Sequence, residues 1–220
     1  MTARSQTSRR PSSSRQNKRV IPIRGALTYL DEKSYTKAID DLTRVLQLDP
    51  RDELAWQHRA LAYRDLKKYP QAIADFTELI KLTQAGDGYN DRARTYAMAG
   101  QYQPAVSDYE QVKGLARGAV PTRSKPLAWL LATCPDPAFR DGARAVEQAT
   151  AECEKSSWRN WNYLDTLAAA EAEAGNYDDA VCYEQEAIDL AGKDAQRQKH
   201  LKERLALYQD RKPFRDEVER

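Results

Sequence analysis

Residues 56–82 read WQHRALAYRDLKKYPQAIADFTELIKL, two short segments parted at Lys67-Lys68-Tyr69. In Trp56 to Leu66, the residues Trp56, Ala60 and Tyr63 recur at helical spacing; in Pro70 to Leu82, Ala72, Ile73, Phe76, Leu79 and Ile80 do the same. That i, i+3, i+4, i+7 pattern belongs to a helix with one apolar stripe. Two such helices joined by a tight turn make a hairpin. Each is close to the roughly 12–15 residues below which an isolated helix is marginal in water, so the hairpin has to lean on neighbours.

Copies of it supply them. Tyr69 has counterparts at Tyr35, Tyr102 and Tyr177, and the alanine three residues later recurs as Ala38, Ala72, Ala105 and Ala180. The steps from Ala38 to Ala72 and on to Ala105 are 34 and 33 residues, and Tyr29, Tyr63, Tyr96 and Ala26, Ala60, Ala93 keep the same two steps. A helix-turn-helix unit at that period predicts an all-α superhelix, a solenoid. The sequence here resembles the tetratricopeptide repeat (TPR) family. Its motif sets a large apolar residue, a small residue and a tyrosine on helix A, then Tyr, Ala and an aromatic on helix B. Trp56, Ala60, Tyr63, Tyr69, Ala72 and Phe76 fit that order, with Gln84 where the motif often closes in Pro. The resemblance implies about five hairpins and a C-terminal capping helix.

The expected layout follows from the same markers. Residues 1–19 are rich in Ser, Arg and Gln with little to bury, and should be a disordered basic tail. Residues 20–116 carry repeats 1–3, with helix A of repeat 1 from Pro22 to about Glu32 and its helix B stopped by Asp49-Pro50. Gly86 and Gly88 break the chain before repeat 3. An irregular connection is expected over 117–126. Repeats 4 and 5, over 127–194, depart from the pattern; Cys134-Pro135-Asp136-Pro137 interrupts the first of them. Their wording (LAWLLATCPDP at 127–137, then DGARAVE at 141–147 and YLDTLAAA at 163–170) looks like the variant repeats of bacterial TPR arrays. Glu171 and Glu184 replace expected aromatics, which predicts a less deeply packed last hairpin. Residues 195–212 make a capping helix with Leu201, Leu205 and Tyr208 on its apolar face and Arg204 off it, and 213–220 a C-terminal tail.

Composition narrows the function. No apolar run approaches the roughly 18 residues of a membrane span, and no secretory signal is present, so a cytoplasmic protein without a membrane partner is expected. The three cysteines, Cys134, Cys153 and Cys182, are an odd number without metal-ligand spacing. The net charge of +2 hides an asymmetry: residues 1–30 hold seven bases and no acid, leaving 28 bases against 33 acids in the remainder. A basic tail can neutralise the phosphates of a nucleic acid, but no aromatic is interleaved to stack on bases, which favours a solvated tail or linker. No metalloprotease, hydrolase, dinucleotide or P-loop motif occurs. His58 and His200 are the only histidines. The expectation is a chain with no catalytic residue, cofactor or metal.

What remains is binding. In the TPR family the helices A line a concave groove, and the positions left free by the packing signature map here onto Ile23, Leu27 and Leu30 in repeat 1. They map onto Gln57, Leu61 and Arg64 in repeat 2, Asn90, Arg94 and Met98 in repeat 3, and Asp165 and Ala169 in repeat 5. The resemblance thus implies a non-catalytic module that binds an extended peptide or helix of a partner protein; self-association is a separate reading. The family's carboxylate clamp is not supported, because Ile23, Leu27, Leu54 and His58 stand at its positions. Two alternatives remain open: a scaffold whose basic tail recruits nucleic acid, and the regulatory portion of a larger enzyme.

Overall fold

A computed structural model describes residues 34–115 and 125–216. Ile23, Leu27, Leu30, the basic tail, helix A of repeat 1 and most of the expected connection lie outside the described residues. Among those described, every regular element is helical. The chain divides into two compact units, one ending at Gln84 and one starting at Ala85.

The first unit contains α1 (Tyr35–Leu48), α2 (Glu53–Asp65) and α3 (Tyr69–Thr83). Asp49-Pro50 ends α1 as the sequence predicts, and the Asp52 carboxylate starts α2 by accepting from the Ala55 amide at 3.0 Å. The Trp56 indole N–H donates to the Pro50 carbonyl at 2.9 Å, pinning the connection to the helix it enters. Ala60 of α2 and Ala72 of α3 are fully buried and pack in one cluster with Phe76 and Leu79, while Ala38, Leu42, Val45, Leu46 and Ala55 form a second. The small residues let the helices approach closely, and the large ones fill the space on either side.

The turn from α2 to α3 has a definite chemistry. Lys67 sits in the left-handed region at φ 56, its N–H donating to the Arg64 carbonyl, while the Lys68 N–H reaches back to Tyr63. These are the two bonds of a Schellman closure, which satisfies carbonyls that the helix end leaves orphaned. Gly100 and Gly175 close the matching turns of the second unit with the same pair of bonds. Lys67 therefore occupies a position for which glycine is the unstrained choice.

The second unit contains α4 (Gly86–Met98), α5 (Tyr102–Leu115), α6 (Lys125–Thr133), α7 (Gly142–Lys155), α8 (Trp161–Ala174), α9 (Tyr177–Leu190) and α10 (Ala195–Gln209), with one 3-10 turn at Pro137–Phe139. Two expectations are corrected here. Gly86 and Gly88 do not break the chain; they form the first turn of α4, where Gly88 is buried. Nor is the last hairpin loosely packed. Every residue of α8 from Leu164 to Ala172 is buried, because α6, α7 and α9 all pack on it and its alanines let them close in. Glu184, where an aromatic was expected, is wholly buried.

Candidate functional site: the helix A faces

Helices α2 and α4 are the helices A of repeats 2 and 3, and each is described within its own unit. On α2, Gln57, Leu61 and Arg64 follow one another at i, i+4, i+7 and are all half-buried. On α4, Asn90 and Met98 are half-buried and Arg94 between them is exposed. Both stripes run beside the core positions rather than through them. His58, next to Gln57, is half-buried, and desolvation lowers its pKa against the opposing pull of Asp52.

Asp165 does not share that exposure. The sequence places it on the free face of α8, yet it is buried, with its carboxylate 2.8 Å from the Arg204 guanidinium. The cap helix explains the difference. Leu201, Arg204 and Tyr208 lie on one face of α10 at i, i+3, i+7, and Leu201 and Tyr208 are fully buried. Arg204, expected on the polar side, turns inward with them. It also stands 3.5 Å from Glu184 and lies over the rings of Trp129 and Phe214 at 5.6 and 5.5 Å. Burial, with the Asp165 carboxylate beside it, pushes the Glu184 carboxyl up to about 9 while Arg204 pulls the other way. Its working form at neutral pH is the uncharged acid.

Two residues that the motif reading passed over hold the hairpins in register. Arg59 donates to both oxygens of Asp75, at 2.7 and 2.9 Å, and also to the Thr43 hydroxyl at 3.0 Å. Its guanidinium lies over the rings of Trp56 and Tyr63 at 5.0 and 6.0 Å. In the second unit Arg92 repeats this on Asp108, at 2.7 and 2.8 Å, over Tyr89 and Tyr96. The signal was present as an Arg three after one ring and four before the next, with an Asp sixteen residues on. In repeat 4, Gln148 takes the Asp position; it is buried with neither amide atom hydrogen-bonded among the described residues.

Hairpins that cross on buried alanines and recur at steps of 33 to 40 residues define a helical-repeat protein. The model of the tetratricopeptide repeat family matches residues 26–52 and 54–85, almost all of them in the first unit. The fold agrees over a longer span. The chain is 16% identical to PilW, a type IV pilus biogenesis factor, covering 91% of this chain and 88% of that one with a TM-score of 0.67. It is 17% identical to MamA, with 81% and 94% covered and a TM-score of 0.60. For YrrB, described as a TPR protein with an unusual peptide-binding site, the identity is 18%, the coverage 86% and 94%, and the TM-score 0.59. At these identities the likeness is one of fold. A sequence search among curated proteins gives no match.

Proposed function

We propose that the chain is a non-catalytic protein-interaction module whose helix A faces take an extended peptide or a helix of a partner protein. The observation that carries this reading is the stripe Gln57, Leu61, Arg64 on α2, half-buried beside the core and mixing an apolar centre with polar flanks. Such a stripe provides apolar area for affinity and polar groups for orientation. Asn90, Arg94 and Met98 offer the same mixture on α4. The strongly paired ions of the fold, Arg59 with Asp75 and Arg92 with Asp108, are engaged with one another, which suits a scaffold better than an acid-base site. No helix among the described residues is long and apolar enough to cross a membrane. A cytoplasmic setting belongs to this reading and accords with three unpaired thiols, two of them buried.

The test is an affinity pull-down comparing wild type with Leu61→Glu, Arg94→Glu and the double variant, each checked for intact helicity. Loss of a specific captured protein in the double variant is the expected result. Equal capture by all four proteins would reject the assignment of these faces.

A further inference from the structure

After α10 the chain does not leave the molecule. Arg211, at φ 56, and Lys212 close the helix with bonds to the Tyr208 and Leu207 carbonyls, and Pro213 then directs the chain back. The next three residues all dock on the second unit, two of them on Trp129. Phe214 packs on the Trp129 ring at 5.8 Å, under the Arg204 guanidinium. Arg215 pairs with Glu173 at 2.6 Å and donates to the Ala132 carbonyl at 3.3 Å. Asp216 accepts from the Trp129 indole N–H at 2.7 Å, and its own amide donates to the Thr133 carbonyl at 2.9 Å.

We propose that the surface formed by Trp129, the carboxyl end of α6, Glu173 and Arg204 is a receptor for a peptide carrying an aromatic residue, an arginine and an acid in succession, and that Phe214-Arg215-Asp216 fills it in cis. The proposal rests on the reading of the repeats as peptide-binding units and extends it to a surface on α6, α8 and α10.

Three observations separate an exchangeable ligand from a fixed part of the core. First, the receptor stays electrostatically satisfied without the segment. Glu173 keeps Arg140 at 3.0 Å, and Arg204 keeps the Asp165 carboxylate at 2.8 Å. Release strands no buried charge, which is the usual obstacle to opening an ion pair. Second, the segment lies where solvent reaches it. Asp216 is exposed, and Phe214 and Arg215 are half-buried, whereas Leu201 and Tyr208 of the adjoining helix are fully buried. Third, the docking is by peptide chemistry at a helix end. The last carbonyls of α6 lack intrahelical donors; Leu130 and Leu131 receive theirs from Cys134 and Asp141, while Ala132 and Thr133 receive theirs from the segment. A partner's backbone amide and arginine can make the same bonds. Tethering through so short a connection holds the local concentration on the order of millimolar, so a weak intrinsic affinity is enough to keep the site filled.

The experiment uses the full chain. A fluorescein-labelled peptide of residues 211–216 is titrated into wild type and into the variant with Phe214→Ala, Arg215→Ala and Asp216→Ala, with anisotropy as the readout. The variant binds roughly tenfold tighter or more, because its site is not already taken, and a peptide carrying Phe214→Ala binds neither protein. A helical variant that does not bind the peptide, or equal affinity for both proteins, overturns the proposal and assigns the segment to helix capping alone. Should the triple variant lose helicity, Asp216→Ala alone replaces it: affinity above wild type supports the proposal, and unchanged affinity refutes it. The Leu61 and Arg94 pull-down reads the general function separately, so failure of the peptide to bind leaves that reading standing.

Discussion

The Arg59 guanidinium closes on both carboxylate oxygens of Asp75 while lying over the rings of Trp56 and Tyr63, and Arg92 and Asp108 repeat the arrangement 33 residues later. The pair joins helix A to helix B at a point where alanine packing alone would allow sliding. Removing one partner leaves a mostly buried charge unanswered. We expect Arg59→Ala to destabilise the protein by about 2–3 kcal/mol. Arg59→Lys should also destabilise, since a point charge cannot serve two oxygens and a stacked plane at once. Urea unfolding checks both; a loss below about 0.5 kcal/mol for Arg59→Ala would assign the pair to the weak surface class.

Lys67 stands in the left-handed conformation that Gly100 and Gly175 occupy in the equivalent turns. A side chain there costs about 1 kcal/mol relative to glycine, against a smaller entropic penalty for loosening the unfolded chain. Lys67→Gly should therefore raise stability by roughly 0.5 kcal/mol, visible as a higher urea midpoint at constant slope. A lowered midpoint would show that the lysine makes contacts worth more than its strain.

Gly142 begins α7 against the end of α8. A Cβ added there would sit 2.7 Å from the Ala174 nitrogen and 2.9 Å from its Cα, backbone atoms that no rotamer change can move. Alanine is by propensity the better helix former by up to about 1 kcal/mol, so propensity and packing predict opposite signs. We expect packing to win, with Gly142→Ala lowering stability by about 1–3 kcal/mol. A rise in thermal midpoint would mean the two helices part easily at that contact.

Glu184 titrates at about 9 in the folded protein because it is buried next to Asp165, against a value of about 4.3 for an unfolded glutamate. Between those values the native chain holds a proton that the unfolded chain lacks. Stability from this group is complete below about pH 4.3, falls as pH rises, and is lost by about pH 9. Asp165, Arg204 and Tyr208 face it, and Glu184→Gln mimics the protonated acid. The variant should unfold at a higher temperature than wild type at pH 8 and show a flatter decline between pH 5 and pH 8. Equal slopes for the two proteins would sink the assignment.

The repeat, its period and the helix bounds were legible in the sequence because each rests on local chemistry. Apolar residues at 3.6-residue spacing mark a helix whatever it packs against, which is why a capping helix was expected over 195–212; the helix there runs from Ala195 to Gln209. Gln57, Leu61 and Arg64 were legible as a stripe beside the core for the same reason. Gly86 and Gly88 misled because glycine weakens a helix without forbidding it.

Long-range pairings were another matter. Arg204 looks polar from its helix alone; it faces inward only because α8 and α9 bring Asp165 and Glu184 beneath it, 39 and 20 residues back along the chain. The same holds for Phe214-Arg215-Asp216, whose partners on α6 lie more than 80 residues away. Periodicity states which face of a helix avoids water, and the amino-acid sequence determined that much here. Which charges meet across those faces, and whether a face is open or already covered, was decided only when the helices packed, since a charge is retained in an interior according to the partner that the fold places beside it.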